Sequence, residues 1–171
     1  GLPGGAISVG DTPGCAAAPT WRGVDEVRPG NFVFFDLMQL TAGACEADDL
    51  ACAVAAPVIG CYPDRGEVVL HAGAVHLSRD ALAGPDGPVF GQLLSLGPHG
   101  FGDLVPGCPV KALSQEHATV RATDQHARRQ LARLTPGDLL LVAPVHSCLA
   151  CEQFGSYRTC GGETLTRYRR D

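Results

Sequence analysis

Residues 50–78 read LACAVAAPVIGCYPDRGEVVLHAGAVHLS, and the fold class turns on whether this stretch is helix or hairpin. The alanines of its first half favour a helix on intrinsic propensity. However, Leu50, Cys52, Val54 and then Val58 recur at even spacing, as apolar side chains do along one face of a strand. The Pro-Asp-Arg-Gly run then supplies a turn, and VVLHAGAVHLS follows as a second extended run. The spacing predicts an antiparallel hairpin with its turn near Pro63 to Gly66.

Working outward, the same punctuation recurs. The chain holds 22 glycines and 13 prolines, about a fifth of its 171 residues, which favours many short strands over long helices. Ala6 to Val9 reads as a strand entering a Gly-Asp-Thr-Pro turn, and Phe32 to Phe35 as an aromatic, β-branched strand. Between Gly84 and Gly107 the segments GPDGPVFG and GPHGFGDLVPG read as loop, with one strand over Val89 to Leu96. VKALSQEHATVRA alternates like a strand with one solvated face. TDQHARRQLARL is the one helix expected: Thr123 or Asp124 caps it, and Ala127, Leu131 and Leu134 fall at i, i+4, i+7. TPGDLLLVAPVHSCL is a turn and a buried strand, and EQFGSYRTC with ETLTRYRRD forms a closing strand pair around a Gly-Gly turn. The expected class is mainly β, an antiparallel barrel or sandwich with a short helix.

Composition removes several functions. With 13 Lys+Arg against 18 Asp+Glu the net charge is −5, which argues against a nucleic-acid binder. No apolar run reaches the ~18 residues of a membrane span. The start carries no basic, then apolar, leader, so a cytoplasmic location is expected. The eight cysteines are expected to be reduced, since a chain of this length needs no staples. Among them Cys45, Cys52 and Cys61 stand in apolar runs as small hydrophobes. Twelve arginines accompany a single lysine, Lys111.

The sharpest chemical feature is PVHSCL. On a strand, residues two apart share a face, so His146 and Cys148 present an imidazole and a thiolate side by side, two preferred zinc ligands. Two protein ligands leave positions open to water and substrate, as a Lewis-acid catalyst requires. The plain alternative is a core histidine and a buried cysteine. A closed site of His146, Cys148, Cys151 and Cys160 is a further alternative. His71 and His76, five apart on one strand, face opposite sides and share no metal unless the chain bends; His117 is a separate candidate. Gly10, Asp11 and Thr12, and likewise Gly30 and Asn31 beside Arg28, form glycine turns whose N–H groups suit a phosphate, or are ordinary turns.

In order, ISVGDTP, RPGNFVFFDLMQ, PDRGEVVLHAGAVHLSRD, LSQEHATV, GDLLLVAPVHSCL and YRTCGGETLTRYRR resemble the C-terminal part of the D-serine dehydratase / D-threonine aldolase family. These are fold-type III pyridoxal-phosphate enzymes related to alanine racemase. The resemblance runs from about Ala6 to Arg170, and its specific motifs are PVHSCL and HAGAVHLS. It implies that residues 1–28 hold the last strand and loop of a TIM-type barrel, and that residues 29–171 form a metal-binding β-domain. It makes His146 and Cys148 the zinc ligands, with the remaining positions left to water and substrate. It sets Gly10, Thr12, Gly30 and Asn31 against the phosphate of pyridoxal 5'-phosphate. Asp11 departs from the family pattern, since a carboxylate beside a phosphate is unfavourable.

The resemblance also puts the lysine that holds the cofactor as a Schiff base in a barrel outside this chain. Lys111 matches no such role, so no catalytic residue is assigned here and the chain alone is expected to be incomplete. The implied reaction is the lysis of a β-hydroxy D-amino acid, D-serine giving pyruvate and ammonia, with zinc on the β-hydroxyl. A retro-aldol cleavage of the D-threonine aldolase kind needs the same metal contact; the soft thiolate ligand favours zinc and tips the reading to the dehydratase. Outside this class stand a non-catalytic metal- or partner-binding module and a cysteine-rich redox or structural-zinc protein. The partners implied are a small D-amino acid and, for the full-length protein, a second copy in a homodimer.

Overall fold

The alternation at residues 50–78 resolves as a hairpin, and a barrel is built on it. The computed structural model describes residues 4–97 and 100–168. Gly1 to Pro3, Pro98 and His99 of the expected loop, and Arg169 to Asp171 of the expected last strand lie outside the described residues.

The chain opens with β1 (Ser8–Gly10), α1 (Thr12–Ala17) and β2 (Glu26–Arg28). β1 and β2 pair in parallel, Gly10 opposite Arg28, apart from the main sheet. α2 (Leu37–Thr41) and a 3-10 turn at Ala47–Asp49 lead into β3 (Val54–Tyr62). A second 3-10 turn, Pro63–Arg65, ends on Gly66 and reverses the chain into β4 (Glu67–Leu70). Gly66 has φ 65°, a left-handed backbone that glycine takes without a Cβ penalty. Next come α3 (Ala74–Leu77), the hairpin β5 (Leu82–Gly84) and β6 (Gly87–Val89), β7 (Gly91–Gly97), β8 (Gly100–Leu113) and β9 (Ala118–Arg121). The chain finishes with α4 (Gln125–Leu131), β10 (Leu139–Pro144), α5 (Ser147–Glu152) and a last hairpin of β11 (Ser156–Arg158) and β12 (Thr164–Thr166).

Six strands close into a barrel in the order β10-β3-β4-β9-β8-β7, every pair antiparallel. Its interior is filled by alternate β-branched and leucine side chains, among them Val58, Val68, Leu70, Val110, Val120 and Val142, all fully buried. Asp124 caps α4 by accepting from Ala127 N–H at 2.8 Å, and Ala127 and Leu131 join the same core. Among the described residues no helix is long and apolar enough to cross a membrane. All eight cysteines are free thiols.

Several expectations fail, each for a local reason. Phe32 to Phe35 is not a strand. Phe32 and Val33 face solvent, and only Phe35 makes an isolated parallel bridge, to Leu50, because the Asp36 carboxylate immediately starts α2 instead. VVLHAGAVHLS does not run straight through. The strand stops at Leu70, and Gly73 lies so close to the next turn that an added Cβ would stand 2.3 Å from the Gln115 carbonyl oxygen. Ala74 and Val75 N–H then bond Ser114 and Gln115 carbonyls, which folds the chain into α3.

The strand expected over Val89 to Leu96 is β7, but the flanking segments expected as loop are largely strand too among the described residues: β5 and β6 turn at Pro85 and Asp86, and β8 starts at Gly100 and pairs with β7 through register shifts. VKALSQEHATVRA is the end of one strand, a turn closed by Ser114 N–H to the His117 carbonyl at 2.9 Å, and the start of the next. Among the described residues, four helices of four to six residues accompany the one expected. Gly10-Asp11-Thr12 leads into one of these, α1, with the Asp11 carboxylate as its cap on Gly14 N–H.

Candidate metal and cofactor site

His146 and Cys148 are not on a strand face. β10 ends at Pro144, His146 is extended backbone (φ −128°), and Cys148 lies in the first turn of α5. The two therefore flank Ser147 at a helix start. The His146 side chain is about one-third exposed and Cys148 is exposed.

A buried carboxylate makes that helix start. Asp36 has no solvent exposure. Its Oδ1 accepts from Gln39 N–H at 3.0 Å, capping α2, and its Oδ2 accepts from Ser147 N–H at 2.7 Å, at the start of α5. Asn31 Nδ2 donates to the same Oδ2 at 2.9 Å. Two helix N-termini thus point at one negative charge, which their dipoles and N–H groups stabilise. Met38 N–H adds a bond to the Val145 carbonyl at 3.1 Å.

The same hub reaches two of the four residues read as phosphate contacts, Asn31 and Thr12. Asn31 N–H donates to Thr12 Oγ1 at 3.0 Å, and both residues are buried. Parallel pairing sets Gly10 against Arg28, whose guanidinium would lie 3.2 Å from a Cβ added at Gly10, while the space over Gly30 is open. Gly10, Thr12 and Asn31 are therefore gathered at one edge, with Gly30 adjoining Asn31 in the chain. Because Thr12 Oγ1 accepts from Asn31, its own O–H remains available as a donor. The Asp11 carboxylate is engaged on Gly14 N–H, inside its own helix start.

Asp80 enters from a distant part of the chain: its Oδ2 stands 2.7 Å from His146 Nδ1. A carboxylate only accepts, so Nδ1 carries the proton and the Nε2 lone pair is left for another partner. That arrangement, together with an accessible thiol two residues on, fits a zinc ion whose remaining positions come from elsewhere. Among the described residues no three His, Cys, Asp or Glu side chains converge on one metal position.

Beside α5 lies a histidine cluster that a straight strand would forbid. The bend at Gly73 brings the His71 and His76 rings to 5.6 Å and the His71 and His117 rings to 6.1 Å, centroid to centroid. Gly73 N–H donates to His76 Nδ1 at 3.2 Å, and Phe154 stacks 6.2 Å from the His76 ring. Burial, then the neighbouring His71, pushes the His76 pKa below its ordinary 6.5, against an opposing pull from Glu116. As pH falls through the unfolded value of about 6.5, the unfolded chain therefore takes up a proton at this position that the folded chain resists. Stability from this residue is intact above that pH and declines below it. The expected result is that His76→Gln flattens the loss of the thermal midpoint between pH 7 and pH 5, measured by circular dichroism.

A thiol pair completes the surroundings. The Cys52 and Cys151 thiols are neighbours: Cys151 and burial push the Cys52 pKa up, and Cys52 draws the Cys151 pKa down against burial. Cys151 lies one turn along α5 from Cys148. Asp36 and Asp80 were missed in the sequence. The Asp-x-x-Gln spacing of Asp36 and Gln39 is a helix-start signal that finds the first. Nothing local finds the second, 66 residues from its partner.

Residues 51–160 match the family model described as "Putative serine dehydratase domain". The chain is 36% identical over 166 residues to D-threo-3-hydroxyaspartate dehydratase of Delftia sp., covering 95% of this chain and 43% of that protein. It is 29% identical to D-serine dehydratase of Dictyostelium discoideum over 92% of this chain and 40% of that protein. Two solved structures of a D-threo-3-hydroxyaspartate dehydratase superpose with TM-scores of 0.82 and 0.81 at 35% and 34% identity, each over 96% of this chain and 43% and 44% of theirs. One carries alanine for a histidine; the other carries alanine for a cysteine two residues further on and is in the metal-free form. The chain thus spans less than half the length of these relatives.

Proposed function

The chain belongs to the D-serine dehydratase family, and on that premise we propose that it is the metal-binding C-terminal part of a zinc- and pyridoxal-phosphate-dependent lyase. Its substrates are β-hydroxy D-amino acids, D-serine foremost, converted to pyruvate and ammonia. The observation that carries this reading is the His146 ring, held at Nδ1 by Asp80 with Nε2 free, two residues from the exposed thiol of Cys148. A relative solved with a histidine, and then a cysteine at the same spacing, replaced by alanine, the latter metal-free, supports it.

When bound, pyridoxal phosphate would supply an electron sink for negative charge at Cα, and zinc a Lewis acid for the β-hydroxyl. The chain's own contribution is to hold and orient. His146 and Cys148 supply one imidazole and one thiolate, a donor pair that suits zinc better than harder divalent ions. Asp36 fixes the helix start that carries both. Thr12, through its remaining O–H donor, and the neighbouring Gly10, Gly30 and Asn31 would hold the cofactor phosphate, with the Asp11 charge kept on Gly14 N–H. Residues 1–28, whose strands pair in parallel, form the edge of the cofactor-binding barrel, and residues 29–171 the β-domain.

The test is product formation by the full-length protein from D-serine and from D-threo-3-hydroxyaspartate, before and after chelation. The reading requires keto-acid and ammonia release that chelation abolishes and zinc restores. Activity untouched by complete zinc removal contradicts it.

A further inference from the structure

We propose that Asp80 is a positioning residue for the metal ligand His146, setting which ring nitrogen is free and where it points. The inference rests on the zinc reading of His146 and goes beyond it, since it assigns a role to a carboxylate outside the proposed ligand pair.

The geometry is that of a charge-assisted bond, His146 Nδ1 to Asp80 Oδ2 at 2.7 Å. Exposed ion pairs are commonplace and weak, so the distance alone decides little. What singles this pair out is how the chain delivers it. α3 ends at the fully buried Leu77, and Ser78 N–H closes the last turn on the Ala74 carbonyl at 3.0 Å. Ser78 itself has φ 69° and ψ −176°, a backbone region that is essentially reserved for glycine. The strain is held in place by its own side chain, whose Oγ accepts from Asp80 N–H at 3.2 Å. A non-glycine residue is thus kept in a costly conformation, and its consequence is that the next turn of chain presents a carboxylate to His146. Strain of this kind persists where the surroundings over-determine it, and it clusters at functional sites.

The chemistry follows from the inventory of atoms. With Nδ1–H donated in a hydrogen bond to Asp80, the ring cannot flip without losing the bond, and its Nε2 lone pair stays free. Without Asp80, either nitrogen can carry the proton and the ring turns freely about its side-chain bonds.

The experiment is equilibrium zinc binding by the full-length protein, measured by competition with a chromophoric chelator, for the wild type, Asp80→Ala, Asp80→Asn and His146→Ala. Thermal melts of the metal-free proteins run alongside. Asp80→Ala is expected to bind zinc about 10–100-fold more weakly. Asp80→Asn is expected to fall between it and the wild type, since its amide oxygen still accepts from Nδ1–H without the charge. The metal-free melting points should stay together. If Asp80→Ala binds as tightly as the wild type while His146→Ala does not bind, the inference fails and the zinc reading stands. If the loss merely follows a loss of folded protein across both variants, the role is structural and the inference fails. If the wild type takes up no zinc, both fail.

Discussion

Asp36→Ala is expected to cost on the order of 5 kcal/mol of folding stability, most of what a domain of this size possesses. Three buried donors lose their acceptor at once: Asn31 Nδ2, Gln39 N–H and Ser147 N–H. Each abandoned donor costs about 1–3 kcal/mol, and no water reaches a carboxylate site with zero exposure to replace it. The damage is also directional. α2, α5 and the Thr12–Asn31 contact all lose their common anchor, so the helix start that carries His146 and Cys148 loosens along with the proposed phosphate edge. Urea denaturation of Asp36→Ala beside Asp86→Ala, an exposed aspartate, isolates the effect. The control should lie within ~0.5 kcal/mol of the wild type. An Asp36→Ala protein within 1 kcal/mol of the wild type would show that the two helices are held by something else.

His146→Ala and Cys148→Ala, each introduced into the full-length protein, are expected to lower β-elimination of D-serine by roughly a thousandfold, about 4 kcal/mol of transition-state stabilisation. Both side chains lie at the accessible start of α5, and neither is in the barrel core, so folding should survive. The visible absorbance of the bound cofactor should survive too, because its covalent attachment is proposed to lie outside this chain. Steady-state kinetics and absorbance spectra on the same preparations check both points. Cys151→Ala serves as the discriminating control: it lies on the same helix as Cys148 but outside the proposed ligand pair, so elimination should be little changed.

The barrel was legible because its strands alternate over long runs. Val54, Ala56 and Val58 on β3, and Val68 and Leu70 on β4, point inward at every second residue, and Pro63 to Gly66 turns the chain between them. α4 was legible for the matching reason, a cap at Asp124 followed by Ala127 and Leu131 on one face. What escaped was short or distant. α1, α2, α3 and α5 are each under two turns, too brief for a helical period to register. The bend that unites His71, His76 and His117 depends on Gly73 packing against the backbone at Gln115, a contact no local pattern announces. Phe32 to Phe35 misled because β-propensity describes a half-buried pleated surface, and two of these side chains face solvent instead. At the candidate site the residue types spoke and the backbone did not: His146 and Cys148 were noticed as a donor pair, yet they flank a helix start rather than share a strand face.

X-ray absorption at the zinc edge of the full-length protein reads the first coordination shell atom by atom. The account requires one sulfur at about 2.3 Å and imidazole nitrogen at about 2.0–2.1 Å, with light atoms filling the remaining positions. A shell holding two or more sulfurs, or none, would contradict it.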